Sequence, residues 1–175
     1  MSILVQNIQD KAHLFYLLGN PFLTQLVSYD FNFGQDEELT DYFVNFLKAL
    51  VLRLDSETIN FFFNERMKTF PLFQAALKLY NSSEQLVRTS VRSITLSIYE
   101  LGCPAMHQFL ARLPFSAFYA NLACHLRDLW ICIETHVEQV TPTDEAKHMQ
   151  VVMKQVEDVN ETLYYIEDLL EVTSR

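Results

Sequence analysis

Residues 84–101 read EQLVRTSVRSITLSIYEL, and within them Val87, Val91, Ile94, Ile98 and Leu101 recur at spacings of three and four, the stripe of one helix face. Gly102 and Pro104 end the stretch, and Asn81-Ser82-Ser83 ahead of it supplies a break and a cap. Residues 37–54 read EELTDYFVNFLKALVLRL and repeat the pattern. A shift of 47 places Leu39 on Leu86, Val44 on Val91, Leu47 on Ile94, Val51 on Ile98, Leu54 on Leu101 and Ile59 on Met106. A shift of 50 places Pro21-Phe22-Leu23 on Pro71-Leu72-Phe73, the difference being the longer loop before Asp36. Periods of about 40 to 50 residues with two or three helices per unit mark armadillo and HEAT solenoids, in which each unit buries its apolar face on the next. The expected units are 21–63 and 71–113 of a single domain spanning 1–175.

Working outward, a first helix is expected from about Ile8 to Leu18, stopped by Gly19-Asn20-Pro21, with a short helix to Tyr29. Asp36 caps the long helix that follows, and Glu37, Glu38 and Asp41 complement its positive end. Its stripe of Leu39, Phe43, Phe46, Leu47, Leu50, Val51 and Leu54 is wide enough to need neighbours on more than one side. Asp55 or Ser56 caps a short segment through Phe63. Pro71 suits the first turn of a helix reaching Tyr80, and 105–113 forms another. Beyond Pro114 a long amphipathic helix carries Phe118, Leu122, Leu126, Leu129, Ile133, Val137 and Val140.

The last helix follows Thr141-Pro142-Thr143. Met149, Val152, Val156, Val159, Leu163, Ile166 and Leu170 alternate spacings of three and four over three heptads, the narrow seam of a helix with one partner. An antiparallel hairpin over 115–172, turning about Pro142 and closing the solenoid, is expected to bury Leu163 and Ile166. Eight acids and two lysines between Asp144 and Glu171 give this helix −6 of the net −9. Glu157, Asp158, Glu161, Glu167 and Asp168 should then form a solvated ridge, either a plain outer surface or a surface for a basic partner.

Composition excludes several classes. A hydrophobic fraction of 50%, 14 Phe and 3 Gly argue against disorder and glycine-rich phosphate loops. Thirteen basic residues against 22 acidic ones disfavour nucleic acid and anionic lipid headgroups. Three cysteines are too few for a disulfide framework, Met1–Lys11 lacks a signal-peptide pattern, and the uncharged run 12–29 is broken by Gly19-Asn20-Pro21, so a reducing, cytosolic setting is expected. The glycosylation patterns at Asn81 and Asn160 are then chance matches.

Chemistry-bearing constellations are sparse. Arg88 and Arg92, one turn apart, could hold an anion, yet they also fit the arginines that tie adjacent HEAT-type repeats through acids; Asp41 holds Arg88's position one repeat earlier. Cys103 with His107 and Cys132 with His136 are one turn apart, and Cys124, Asp128, Cys132 and His136 descend one helix, a ligand set zinc would accept. A metal-stabilised or catalytic helical domain using these residues is therefore the alternative reading. Against it, there is no CxxC, GxSxG, phosphate loop or HExxH, and free cysteine is commonly a small buried hydrophobe. The expectation is no enzyme, no cofactor and no metal.

Phe61-Phe62-Phe63-Asn64-Glu65, Phe70-Pro71-Leu72-Phe73 and the run Val87 to Tyr99 resemble the FPL domain of the C-type lectin domain-containing protein 16A family. That family includes the fly endosomal-maturation-defective protein and a plant Transparent Testa homologue. Phe15-Tyr16-Leu17-Leu18-Gly19-Asn20, Asp30-Phe31-Asn32-Phe33 and Tyr42 to Lys48 follow the family's text in the same order, so the resemblance is strong over 8–101. It implies an armadillo-like adaptor in endosomal, lysosomal and autophagic membrane traffic. It also implies a cytoplasmic location peripheral to endosomal, lysosomal or Golgi membranes, and recruitment through protein partners without insertion. Sugar binding is not implied, since three cysteines and no strand pattern cannot build a lectin fold. Family members carry further helices before this region and a long extension after it, which makes this chain a piece of a longer protein or a reduced homologue.

Overall fold

A computed structural model describes residues 1–33, 36–138 and 145–174 of the chain. Val140, the expected turn at Thr141-Pro142-Thr143 and Asp144 lie outside them. Among the described residues all regular structure is helical, and the only β-type feature is an isolated antiparallel bridge between Asn64 and Thr69. The chain forms two compact units, Met1–Phe109 and Leu110–Arg175.

The first unit contains α1 (Ser2–Asn7), α2 (Lys11–Leu18), α3 (Pro21–Ser28), α4 (Glu37–Val51), a 3-10 turn (Thr58–Phe61), α5 (Pro71–Lys78), α6 (Gln85–Glu100) and most of α7 (Pro104–Leu110). The helix expected from about Ile8 starts at Lys11, and a separate helix, α1, precedes it. Asp10 accepts the backbone N–H of His13 at 2.9 Å and so caps α2 afresh. The Arg53 guanidinium donates to the Ile8 carbonyl in the break. Gly19 ends α2 without a left-handed turn; a Cβ there would meet the Phe15 carbonyl oxygen and the Phe61 ring at 3.2 Å each. Its smallness lets Phe61 close edge-on against Phe15, with centroids 4.8 Å apart.

Asn20 and Asp36 cap α3 and α4 as their side chains allow, each oxygen accepting a backbone N–H at 2.9 Å. At α6 the expected serine cap is absent. Glu84 holds the N-cap position without a side-chain cap, and the Ser82 hydroxyl accepts the Glu84 N–H at 3.2 Å. Gly102, at φ +63°, takes the left-handed position after α6 that favours glycine.

Helix α4 packs against α1, α5 and α6, while α3 packs on α5 and α5 on α6. Phe43, Phe46, Leu47, Leu50 and Val51 are buried, as the width of their stripe demanded. Val91, Ile94 and Ile98 of α6 are buried too. Each such side chain contributes about 1.5–3 kcal/mol by leaving water.

The second unit holds α8 (Ala117–Glu138) and α9 (Glu145–Thr173), which pack on each other. Gln155 Nε2 lies 3.3 Å from His136 Nδ1 across the pair. Val159, Thr162, Tyr165 and Leu169 of α9 are buried, and Val152, Gln155 and Ile166 are half-buried. The expected seam is therefore only half used. Val152, Val159 and Ile166 turn inward, whereas Met149, Val156, Leu163 and Leu170 stay exposed, and the expectation of a buried Leu163 is corrected. Thr162 is the reason. Its hydroxyl donates to the Asp158 carbonyl at 2.8 Å, so it buries without an unmet polar group and the packed face swings toward it.

Candidate functional site

Phe70, Pro71 and Leu72 form a packing device. The bridge pairs Asn64 and Thr69 in both directions, N–H to carbonyl at 2.9 and 3.2 Å, and the Asn64 side chain accepts the Met67 N–H at 3.0 Å. That small loop delivers Phe70 to the N-cap of α5, with Pro71 in the first turn where a missing N–H is harmless. Phe70 stacks on Phe73 at 5.7 Å and meets Phe63 at 5.9 Å; Phe63 in turn stands edge-on to Phe109 at 4.8 Å. Phe70 and Leu72 are wholly buried.

The two arginines are spent inside the unit. Arg88 Nη1 donates to the carbonyls of Ser82 and Ser83, both at 2.9 Å, tying α6 to the turn that precedes it. The Arg92 guanidinium lies 6.0 Å from the centroid of the buried Tyr80 ring. Burial pushes the Tyr80 phenol above its usual value, against the pull of Arg92.

The Cys and His residues are not drawn together. His107 Nε2 donates to the Tyr99 carbonyl at 2.7 Å, and His136 Nδ1 donates to the Cys132 carbonyl at 2.8 Å. Arg127 pairs with Asp128 at 2.8 Å, while Cys124 and Cys132 are exposed and Cys103 is half-buried. Among the described residues no group of three His, Cys, Asp or Glu is placed to hold a metal ion.

On α9, Glu157, Glu167 and Asp168 are exposed, as a ridge requires, while Asp158 and Glu161 are half-buried. The same rotation that exposed Leu163 brought these two carboxylates inward. Beside the ridge runs an apolar row the sequence reading assigned to the interior: Met149, Val156, Leu163 and Leu170 are 52%, 41%, 46% and 64% exposed. Their seven-residue spacing was legible; their exposure was not, because periodicity does not say which half of a seam meets the neighbouring helix. A shallow apolar depression on α2 is lined by Lys11, Ala12, Phe15 and Tyr16, the last two from the family-like run Phe15 to Asn20.

Among the described residues no helix is long and apolar enough to cross a membrane. No solved structure matches the chain. Sequence relatives do. The Drosophila melanogaster "Protein CLEC16A homolog" is 32% identical over 97% of this chain. The Homo sapiens "Protein CLEC16A" is 31% identical and the Arabidopsis thaliana "Protein TRANSPARENT TESTA 9" 27% identical, each again over 97% of the chain. The chain spans only 16–20% of the length of these three relatives. The FPL family, described as an uncharacterised conserved protein, matches residues 1–99, which include the packed Phe70-Pro71-Leu72. The chain belongs to the FPL family.

Proposed function

We propose that this chain is a non-enzymatic helical adaptor that acts by protein–protein contact in endosomal-lysosomal membrane traffic and autophagy. In this reading it is cytoplasmic and reaches endosomal, lysosomal or Golgi membranes through protein partners. The observation that carries the reading is the similarity to CLEC16A relatives along 97% of the chain. The way the polar groups are used supports it: the arginines and histidines described above serve the fold, and what faces solvent on α9 is an acidic ridge beside apolar side chains, a surface suited to macromolecules.

The same proposal takes 21–63 and 71–113 as two units of an armadillo- or HEAT-like stack, and 115–172 as an antiparallel hairpin. Equivalent helices touching equivalent helices support the first part, since α3 meets α5 and α4 meets α6. Val44 and Val91, Leu47 and Ile94, Val51 and Ile98, and Ile59 and Met106 are all buried, although Leu86 is exposed where Leu39 is half-buried. The packing of α8 on α9 supports the second part.

Proximity labelling in cells with the 175-residue chain tests the function. Enrichment of endolysosomal and autophagy proteins over a free-ligase control is expected. A label set identical to the control's would overturn the reading.

A further inference from the structure

Two adjoining apolar stripes run along α9. One carries Val159, which is buried, and Val152 and Ile166, which are half-buried, on a helix that packs against α8. The other, Met149, Val156, Leu163 and Leu170, is the exposed row, with Met153 beside it at 58% exposed. A helix that needs only one neighbour carries one stripe; two stripes side by side are the pattern of a helix with two neighbours. A regular row of four large apolar side chains, spaced by seven and left in water, is a standing cost that a second helix would remove.

Charge decides which helix. Glu157 follows Val156, Glu171 follows Leu170, and Glu167 lies between Leu163 and Leu170; all three are exposed. Residues 110–175 hold eleven acids against five bases, a net of −6. A second copy would bring the same acids against these and be repelled, and an anionic bilayer would be repelled likewise. Lysines and arginines bordering the partner's stripe would meet these carboxylates at the rim, where opposite charges set orientation and on-rate.

We infer that the row Met149–Val156–Leu163–Leu170 is a docking site for an amphipathic helix of another protein whose apolar stripe is bordered by Lys and Arg. The mode is a helix laid on a two-helix support with anchors at every second turn. This deepens the adaptor reading by naming the surface and the partner's chemistry.

The test uses the 175-residue chain and two synthetic 28-residue helical peptides with Leu at heptad positions a and d, one with Lys and one with Glu at e and g. Calorimetric titration should show the Lys-flanked peptide binding and the Glu-flanked one not. Val156→Ser with Leu163→Ser should weaken binding about tenfold or more, the loss expected of interface anchors, with the circular dichroism unchanged. Glu157→Lys, Glu167→Lys and Glu171→Lys together should reverse the preference, giving binding of the Glu-flanked peptide. That reversal distinguishes a docking row from residues that merely support the fold. No binding of the Lys-flanked peptide, equal binding of both peptides, or a dimer in sedimentation that the serine pair dissolves would each overturn the inference. In cells, a wild-type label set that the serine pair leaves unchanged would overturn this inference while leaving the adaptor role standing, whereas a wild-type set equal to the control would overturn the adaptor role.

Discussion

Arg88 reaches back from the first turn of α6 and donates through one nitrogen to the carbonyl of Ser82, 2.9 Å away, and through the same nitrogen to that of Ser83. These carbonyls precede a helix whose N-cap offers no side-chain cap, so the guanidinium orders the turn together with the Ser82 hydroxyl that accepts the Glu84 N–H. Arg88→Ala should lower stability by about 1.5–3 kcal/mol, the range for charged hydrogen bonds, read as a shift of the urea midpoint at unchanged slope. A midpoint unmoved by the substitution would show that the turn is held by other contacts.

The core of the first unit should be sensitive where α6 meets α4 and where Phe70 stacks. Ile94→Ala should cost about 2–5 kcal/mol and Phe70→Ala about 3–5 kcal/mol, through lost burial plus the cavity left behind. Thermal or urea denaturation reads both. Losses below about 1 kcal/mol would place these side chains outside the packed interior.

On α9 the two halves of the heptad pattern should behave differently. Leu169→Ala should cost about 2–5 kcal/mol, as for a buried leucine. Leu163→Ala should cost under about 1 kcal/mol, and Glu157→Lys and Asp168→Lys should each stay within about 0.5 kcal/mol, since these side chains face solvent. The reverse order for the leucines would restore the seam as first read.

Asp55 should leave a mark on the acid side of the pH profile. The backbone N–H and hydroxyl of Thr58 donate to its carboxylate at 2.8 and 2.9 Å, the Glu57 N–H does so at 3.0 Å, and together they hold its carboxyl below the usual carboxylate value. A depressed folded-state pKa stabilises fully above the unfolded value, about 4, and the contribution fades as pH falls through the folded value. Asp55→Ala should cost about 1 kcal/mol at pH 7 through the lost hydrogen bonds from Glu57 and Thr58. Asp55→Asn keeps an acceptor, so it should cost less at pH 7 and flatten the profile below about pH 4. A wild-type profile and an Asn profile that superimpose there would refute the linkage.

Sedimentation with phosphatidylserine vesicles should leave the protein in the supernatant, because a net charge of −9 is repelled by a negative leaflet. Salt-sensitive pelleting would argue for direct membrane contact instead of recruitment through a partner.

The sequence revealed the fold best where large apolar side chains carry the periodicity. Phe43, Leu47, Leu50 and Val51 could belong only to an interior helix, and they are buried. It revealed least where polar side chains do apolar work. Thr162 and Gln155 occupy the packed face of α9, the threonine because its hydroxyl finds a carbonyl one turn back, and a pattern of Val, Leu, Ile and Met skips both. The helix start at Lys11 instead of Ile8 follows from the Asp10 side chain accepting the His13 N–H, a local cap that the apolar pattern does not register. Arg88 and Arg92 could be singled out from spacing, yet contacts such as those with two carbonyls and a tyrosine ring follow from the turn that positions them.

Trp130 is the chain's single tryptophan; it sits on α8, 59% exposed, with its indole N–H donating to Glu134 at 3.0 Å. The unit Met1–Phe109 therefore contains none, while it holds the buried Tyr80 and Tyr99. Emission excited at the red edge of the indole band watches only the part after Phe109, and it starts from a ring already half in water. The chain thus carries a label-free optical window on its second unit alone, whereas the phenols report on both units, because Tyr165 of α9 is buried as Tyr80 and Tyr99 are.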